Sequence, residues 1–318
     1  MHVLITGGAG FLGRRLAEAW LARDVGALTL VDVNAPSQPL TDRRVRYVTA
    51  DLAADGVLES VIDRDTTAVF HLAAVVSGQA EADFDLGMRV NVDATRRLLE
   101  VCRARGHAPR FVFTSSVAVY GGALPEVVRD DTALAPQTSY GVEKAIGEML
   151  VSDYSRRGFV DGRILRLPTV SVRPGRPNAA LSSFASGIIR EPLNGEDAIC
   201  PVGPDVRVWL TSPDTVTAGL VHAHDLPAAA LGDERRINLP GLSVTVGEMA
   251  ASLARVAGDD VASRVQFQID PRIDRIVRAW PGRLDNSRAL GLRFPADSDF
   301  DAIVRQHVDR NRSKAFTT

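Results

Sequence analysis

Short apolar runs rich in Val, Ile and Leu alternate with longer segments of helical periodicity through the first half of the chain. Parallel strands need a crossover helix between them, so this alternation predicts βαβ units and a parallel sheet. The predicted strands span residues 2–6, 28–32, 45–49, 68–72, 110–115 and 162–167, and helices are predicted over 10–22, 84–105 and 139–157. We therefore expect an α/β fold with a Rossmann-type, doubly wound parallel sheet of six strands.

The pattern changes after residue 167, where Pro168, Pro174, Gly175 and Pro177 interrupt the chain. Proline and glycine at this density predict a loop. Beyond the loop, short strands mix with helices predicted over 181–190, 212–224 and 245–257. We expect a first domain over 1–167 and a smaller α/β region over 168–318, some of whose segments pack back on the core.

Composition narrows the classes of function. The 318 residues carry 37 Lys and Arg against 39 Asp and Glu, a formal net charge of -2. This balance offers no attraction for nucleic acid or for an anionic membrane surface. The chain shows no basic leader before an apolar run, and its apolar stretches are far shorter than the roughly 20 residues of a membrane span. We expect a cytoplasmic protein that acts on a small molecule.

Metal ligands and a disulfide framework are not expected. Cys102 and Cys200 are far apart and form no Cys-x-x-Cys pair. His222 and His224, two residues apart on a predicted helix, would point to different faces and make a poor ligand pair.

A glycine-rich segment, Thr-Gly-Gly-Ala-Gly-Phe-Leu-Gly over residues 6–13, lies between the first strand and an amphipathic helix. In this context Gly7 permits a sharp turn, Gly10 lets a pyrophosphate approach the backbone, and Gly13 lets the helix pack on the sheet. The start of the helix, with Phe11 and Leu12, favours a phosphate because free amides and the helix dipole point at it. The segment predicts a dinucleotide site.

Asp32 ends the second strand, where its carboxylate can accept hydrogen bonds from an adenosine ribose and repel a 2′-phosphate. This favours NAD over NADP, although Arg43 and Arg44 leave some room for a phosphate. The first domain would then bind NAD and the region over 168–318 mainly the substrate. Residues after the third and fourth strands, where small side chains let a flat ligand approach, are expected to flank the adenine and ribose: Asp51, Leu52, Leu72, Ala73 and Ala74.

Tyr140 and Lys144 stand four residues apart near a helix start, so their side chains share one face. A free phenol titrates near ~10, and a neighbouring ammonium lowers that pKa towards the range in which a phenolate serves as a general base. Lys144 could also hold the nicotinamide ribose. Ser115 and Ser116 follow the fifth strand at its carboxyl end, where one hydroxyl is expected to bind the substrate hydroxyl and the other to cap the strand.

These motifs, with Asn91-Val92 before the fifth strand and Val119-Tyr120-Gly121 after it, resemble the extended short-chain dehydrogenase/reductase family, whose members are epimerase- and dehydratase-like. The resemblance covers nearly the whole chain. It implies a catalytic set of Ser116, Tyr140 and Lys144, with Asn91 holding the central helix and a proton-relay water. It also implies a homodimer through a four-helix bundle made by the helices over 84–105 and 139–157.

Within the family, the segments over 72–78, 165–175 and 208–214 are similar to members that oxidise the C2 hydroxyl of a four-carbon sugar acid with NAD. Such a substrate needs a cation for its carboxylate, and Arg173 and Arg207 are the candidates. Ser77 and Thr169 are candidates for sugar hydroxyls. A sugar-nucleotide 4-epimerase that keeps NAD tightly bound is the alternative, and a non-catalytic NAD-binding sensor is a third hypothesis.

Overall fold

The computed structural model describes residues 1–175 and 180–315, so Pro177 of the predicted loop lies outside the described residues. The chain divides into two compact units. The first contains Met1–Val119, Pro136–Arg166 and Thr217–Ile237, and the second contains Tyr120–Ala135, Leu167–Val216 and Asn238–Thr318. The chain thus leaves the first unit and returns to it twice, and the second return, Thr217–Ile237, comes from the region over 168–318.

The elements are numbered in chain order. The strands are β1 (His2–Thr6), β2 (Ala27–Asp32), β3 (Val45–Thr49), β4 (Thr66–His71), β5 (Arg110–Ser116), β6 (Asp161–Leu167), β7 (Thr169–Val170), β8 (Ala198–Cys200), β9 (Arg207–Thr211), β10 (Arg236–Asn238), β11 (Leu242–Thr245) and β12 (Val265–Phe267). The α-helices are α1 (Phe11–Leu21), α2 (Val57–Val61), α3 (Ser77–Ala82), α4 (Phe84–Gly87), α5 (Ala94–Arg105), α6 (Ser139–Arg156), α7 (Phe184–Leu193), α8 (Pro213–Asp225), α9 (Ala228–Leu231), α10 (Val246–Ala257), α11 (Asp259–Ala262), α12 (Pro271–Arg278), α13 (Ser287–Gly291) and α14 (Phe300–Ala315).

The main sheet has seven strands in the order β10-β6-β5-β4-β1-β2-β3. The pairs β1–β2, β1–β4, β2–β3 and β4–β5 are parallel. All six predicted strands are confirmed within two residues at each end. β10 is the additional strand, and it reaches the sheet edge beside β6 from far along the chain.

One predicted helix is interrupted. The segment over 84–105 consists of α4, a π-helix over Met88–Asp93, and α5, whereas a single helix was predicted. π-helical turns are rare and often lie at functional sites. This one contains Asn91.

Strands buried on both faces explain the continuous apolar runs of the first unit. Leu4, Val69 and Phe111 lie in one core cluster with Leu98 and Leu99 of α5. Each of these side chains is fully buried. The buried polar side chains of Thr6, His71 and Ser115 lie at or near the carboxyl ends of their strands.

A buried arginine joins the returning segment of the first unit to the sheet. The Arg163 side chain on β6 is 0% exposed. Its Nε donates to the Ala223 carbonyl at 2.7 Å, and its Nη2 donates to the Leu226 carbonyl at 3.0 Å. These bonds hold the end of α8 against β6.

The second unit contains a three-stranded sheet in the order β11-β9-β7 and a parallel pair, β8 and β12. β9 pairs antiparallel with β11 and parallel with β7. A separate core packs α7, α10 and α14 around these strands, with Ile188, Leu210, Met249, Leu253 and Val304 fully buried. No helix in residues 1–175 or 180–315 combines the length and apolar character needed to cross a membrane.

Candidate active site

The glycine-rich loop forms a tight turn between β1 and α1. Gly7 has φ +71°, a left-handed conformation that glycine adopts at little cost. A Cβ on Gly13 would lie 2.1 Å from the Gly7 carbonyl oxygen, so the first turn of α1 packs directly on the loop. Gly10 is exposed and begins α1 without a side-chain cap, which leaves that end open to an anion. Phe11 and Leu12 form the first turn of the helix.

The loop also orients the carboxylate that ends β2. The Ala9 amide donates to Asp32 Oδ2 at 3.1 Å, and the Asn34 amide donates to Oδ1 at 3.0 Å. A carboxylate has about four acceptor positions, so these two bonds leave Asp32 able to accept from a ribose. Arg44 is held elsewhere, because its guanidinium pairs with Asp42 at 2.8 Å. These residues fit an NAD molecule better than one with a 2′-phosphate.

The other predicted nucleotide residues lie after β3 and β4. Asp51 accepts from Arg89 of the π-helix at 2.5 Å, and this bond holds the pKa of Asp51 below its ordinary value. Leu52 is buried. Leu72, Ala73 and Ala74 are half-buried in the loop that follows β4, and the Ala73 amide donates to Thr6 Oγ1 at 3.3 Å.

Two neighbouring serines at the end of β5 have different surroundings. The Ser115 hydroxyl is buried and donates to Glu148 Oε1 at 2.5 Å. Ser116 is half-buried, and its Oγ accepts from the Ala118 amide at 3.1 Å. Because that bond uses a lone pair, the Ser116 hydroxyl keeps its proton for donation to a substrate oxygen. Ser116 is thus the better placed of the two.

The helix α6 brings Tyr140 close to the turn that follows Ser116. Thr138 caps α6, since its hydroxyl oxygen accepts from the Gly141 amide at 3.2 Å. A Cβ on Gly141 would lie 2.3 Å from the Ala118 carbonyl oxygen, so only glycine permits this approach. Ser116 and the start of α6 therefore belong to one compact region.

Lys144 lies below Tyr140 on the same face of α6. Its ammonium donates to the Thr114 carbonyl at 2.8 Å and lies 5.7 Å from the centroid of the Tyr140 ring. The residue is 2% exposed. Burial lowers the pKa of Lys144 to about 8, and the charges of Glu143 and Glu148 oppose this shift. A buried ammonium next to a phenol is the arrangement that favours a phenolate.

A directed chain of hydrogen bonds runs beneath the site. The Thr95 hydroxyl donates to the Asn91 carbonyl at 2.7 Å, so its oxygen must accept from His71 Nε2 at 2.8 Å. His71 Nδ1 is then an acceptor for the Thr6 hydroxyl at 2.6 Å. This assignment needs a neutral imidazole, and burial indeed lowers the pKa of His71 to about 3. This series of hydrogen bonds connects the glycine-rich segment, at Thr6, to the π-helix, at Asn91.

The side chain of Asn91 is fully hydrogen-bonded to protein groups. Its Oδ1 accepts from the Val75 amide at 2.8 Å, and its Nδ2 donates to the Val75 carbonyl at 3.0 Å. The second Nδ2 hydrogen goes to Glu143 Oε2 at 2.6 Å. The carboxamide therefore binds protein groups, and its place beside a relay water stays a prediction.

The predicted substrate residues are distributed over both units. Ser77 begins α3 in the first unit. In the second unit, Thr169 begins β7, and the Arg173 carbonyl accepts from Arg190 at 2.7 Å. Arg207 begins β9 and is 48% exposed, with Nη1 at 3.1 Å from the Ser243 carbonyl. Their roles towards a substrate stay predictions.

Sequence reasoning missed two buried carboxylates on α6. Glu148 forms a two-bond ion pair with Arg166, in which Nη2 donates to Oε2 at 2.7 Å, and both side chains are at most 1% exposed. Glu143, beside Lys144, is 0% exposed. The available signal was the spacing, because Glu148 follows Lys144 by four residues and so shares the helix face predicted for Tyr140 and Lys144. Within the described ranges no cluster of His, Cys, Asp and Glu could hold a metal ion.

The fold and this site define the class of the protein. A model of the NAD dependent epimerase/dehydratase family matches residues 3–237, and the chain belongs to that family. It is 60% identical to D-erythronate dehydrogenase of Cupriavidus necator over 97% of this chain and 98% of the relative. It is 49% identical to D-erythronate dehydrogenase of Haemophilus influenzae over 97% of this chain and 99% of the relative.

A solved structure is also similar. The crystal structure of a nucleoside-diphosphate-sugar epimerase from Agrobacterium tumefaciens matches with a TM-score of 0.92 and 42% identity. The match covers 97% of this chain and 94% of the other.

Proposed function

We propose that this chain is an NAD-dependent dehydrogenase that oxidises the C2 hydroxyl of D-erythronate to 2-oxo-tetronate. The buried Lys144 beside Tyr140, at the end of β5 and next to Ser116, carries the conclusion that it oxidises an alcohol. Identities of 60% and 49% to two proteins named D-erythronate dehydrogenase, over nearly full length, support the choice of substrate.

Proton removal falls to Tyr140. As a phenolate it takes the proton of the C2 hydroxyl, and the Lys144 ammonium stabilises that phenolate because the two share one face of α6. Ser116 donates a hydrogen bond to the same substrate oxygen. The chemistry that bound NAD would supply is acceptance of the hydride from C2.

NAD is assigned to the loop over 7–13 and to Asp32. The uncapped start of α1 would hold the pyrophosphate, together with Gly7, Gly10, Phe11, Leu12 and Gly13. Asp32 would accept hydrogen bonds from the adenosine ribose. The residues expected along the adenine, the ribose and the nicotinamide are Asp51, Leu52, Leu72, Ala73, Ala74, Asn91, Tyr140 and Lys144.

For the substrate we keep the assignments made from the sequence. Arg173 or Arg207 pairs with the carboxylate, and Ser77 and Thr169 bind the remaining hydroxyls. We also propose a cytoplasmic protein, a location with which the two free, buried cysteines agree.

We propose a homodimer formed through α4 and α6 of the first unit. Large apolar side chains are exposed there: Phe84 by 59%, Val142 by 42% and Met149 by 63%. Val142 and Met149 are seven residues apart and lie on one face of α6. A second copy of this chain would cover that face.

A sugar-nucleotide 4-epimerase is the second candidate, because the solved relative at 42% identity is described as a nucleoside-diphosphate-sugar epimerase. An epimerase oxidises and then reduces its substrate, so it accumulates no NADH. Net NADH formation therefore separates the two functions.

The test is the near-ultraviolet absorbance of NADH when the protein is mixed with NAD and D-erythronate, other four-carbon sugar acids, L-threonine or UDP-hexoses. We expect NADH with D-erythronate. We expect Tyr140→Phe to lose about 10²- to 10⁴-fold in kcat and to bind NAD with unchanged affinity. Interconversion of a UDP-hexose without NADH would replace the proposed function with the epimerase, and full activity of Tyr140→Phe would overturn the mechanism.

A further inference from the structure

Glu143 lies between Tyr140 and Lys144 in the chain, yet it points into the protein. The residue is 0% exposed. Its Oε2 accepts from Asn91 Nδ2 at 2.6 Å, while Oε1 is buried without a hydrogen-bond partner among residues 1–175 and 180–315. A Cβ on Gly87 would lie 2.3 Å from Oε1, so α4 packs directly on this carboxylate.

A buried carboxylate with one unbonded oxygen is costly, and packing alone would favour an apolar side chain. The other buried carboxylate of α6, Glu148, has its own arginine, Arg166, at 2.7 Å. Among the described contacts Glu143 has no bonded cation, and its charged neighbour is Lys144. The hydrogen bond to Asn91 is thus the specific contact of this side chain.

Asn91 also bonds to the loop that follows β4. Both polar atoms of its carboxamide bond to the main chain of Val75, at 2.8 and 3.0 Å. Val75 directly follows Ala73 and Ala74. Glu143, Asn91 and Val75 therefore form a continuous link from α6 to the loop after β4.

The middle residue of this link, Asn91, lies in the π-helix. Met88–Asp93 departs from α-helical geometry where Asn91 turns towards Val75 and Glu143. Thr95, one turn later, bonds back to the Asn91 carbonyl at 2.7 Å. Both the side chain and the main chain of Asn91 are thus fixed by buried partners.

We propose that Glu143 is a positioning residue for the oxidation: through Asn91 it fixes the loop after β4, and the cofactor that this loop faces, relative to Tyr140 and Lys144. This inference rests on the proposed function. Loss of the link displaces the loop without removing any group that touches the substrate. Displacements of about 1 Å can cost roughly 100-fold in rate.

The experiment compares Glu143→Leu, which removes the acceptor, with Glu143→Gln, which keeps an oxygen for Asn91. Glu196→Gln, at an exposed position, is the control. NAD dissociation constants are measured by calorimetry, and kcat, KM and the primary isotope effect are measured with C2-deuterated D-erythronate. Thermal unfolding gives the folded fraction. All assays run at pH 6.5, well below the Lys144 pKa of about 8.

For Glu143→Leu we expect NAD binding weakened about tenfold, kcat lowered about 10- to 100-fold and a larger isotope effect. Glu143→Gln should recover most of each loss, and Glu196→Gln should match the unmodified chain. A Glu143→Leu protein that melts earlier but keeps the NAD affinity, KM and isotope effect of the unmodified chain would overturn the inference. So would equal losses in the Gln and Leu variants.

Failure of the proposed function and failure of Glu143→Leu to fold can each be distinguished from failure of this inference. If the unmodified chain binds NAD but does not oxidise D-erythronate, the proposed function fails, while the NAD affinities still decide the role of Glu143. If Glu143→Leu does not fold, Gly87→Ala replaces it, because its Cβ would displace the Glu143 carboxylate. Weakened NAD binding in Gly87→Ala supports the inference, and unchanged binding contradicts it.

Discussion

Lys144 combines two conflicting requirements at a single residue. Its ammonium must be charged to stabilise the Tyr140 phenolate, but it is buried, and burial disfavours the charged form. Glu143 and Glu148 oppose that effect, and His71, which stays neutral, adds no positive charge. Arg166 is the other buried cation nearby, and it is bonded to Glu148. Lys144 therefore keeps its charge at a cost in stability.

We predict that Lys144→Met is inactive and more stable than the unmodified chain at pH 7. The pKa of Lys144 falls from 10.5 to about 8 on folding, so below pH 8 the folded state bears the whole cost of the buried charge. That cost corresponds to about 1–3 kcal/mol in the free energy of unfolding.

The difference in the free energy of unfolding between Lys144→Met and the unmodified chain should become smaller at high pH. Between about 8 and 10.5 the unfolded chain binds more protons than the folded one, so the stability of the unmodified chain rises towards that of the variant. Urea unfolding at pH 7 and pH 9.5 measures both values. A Lys144→Met protein less stable than the unmodified chain at pH 7 would contradict the assigned cost.

At the scale of the elements, the turn between β1 and α1 has little tolerance for added volume. We predict that Gly13→Ala binds NAD at least about tenfold more weakly and loses about 1–3 kcal/mol in the free energy of unfolding, because its Cβ would lie 2.1 Å from the Gly7 carbonyl oxygen. Calorimetry with NAD and urea unfolding test this. Gly291→Ala is the matched control, since no atom lies within 4 Å of its Cβ position. Equal NAD affinity in the two variants would refute the prediction.

Strands and the motif spacing were predictable because both are local. β1 and β3 begin and end at the predicted residues, and α6 ends one residue early. The break in the helix over 84–105 was not predictable from local sequence, and Asn91 within it bonds to Glu143, 52 residues later. β10 was missed for a similar reason: three residues become a strand only through pairing with β6.

Features of the candidate site that depend on residues far away in the chain were also not predictable. The spacing of Tyr140 and Lys144 indicated their shared face, but it did not show that Glu143 turns inward. The different surroundings of Ser115 and Ser116 depend on Glu148, which is 33 residues from Ser115 in the chain. A family resemblance, more than geometry, selected Ser116 in advance.

At the scale of the whole molecule, the exposed apolar face of α4 and α6 predicts the oligomeric state. The unmodified chain should sediment at twice the mass of its 34.2 kDa chain. Met149→Glu should be a monomer at the same concentration, because burying a charge in an apolar interface without a partner is unfavourable. Analytical ultracentrifugation measures both masses, and a monomeric unmodified chain would exclude the proposed dimer.

The return of residues 217–237 to the first unit bears on how the protein is made in the cell. While the ribosome is still adding residues 167–216, Arg163 lacks its carbonyl acceptors at Ala223 and Leu226, and β6 is an open edge of the sheet. Open strand edges pair readily with other nascent chains. Until residues 217–237 have been made, the newborn chain therefore presents this strand edge to other chains.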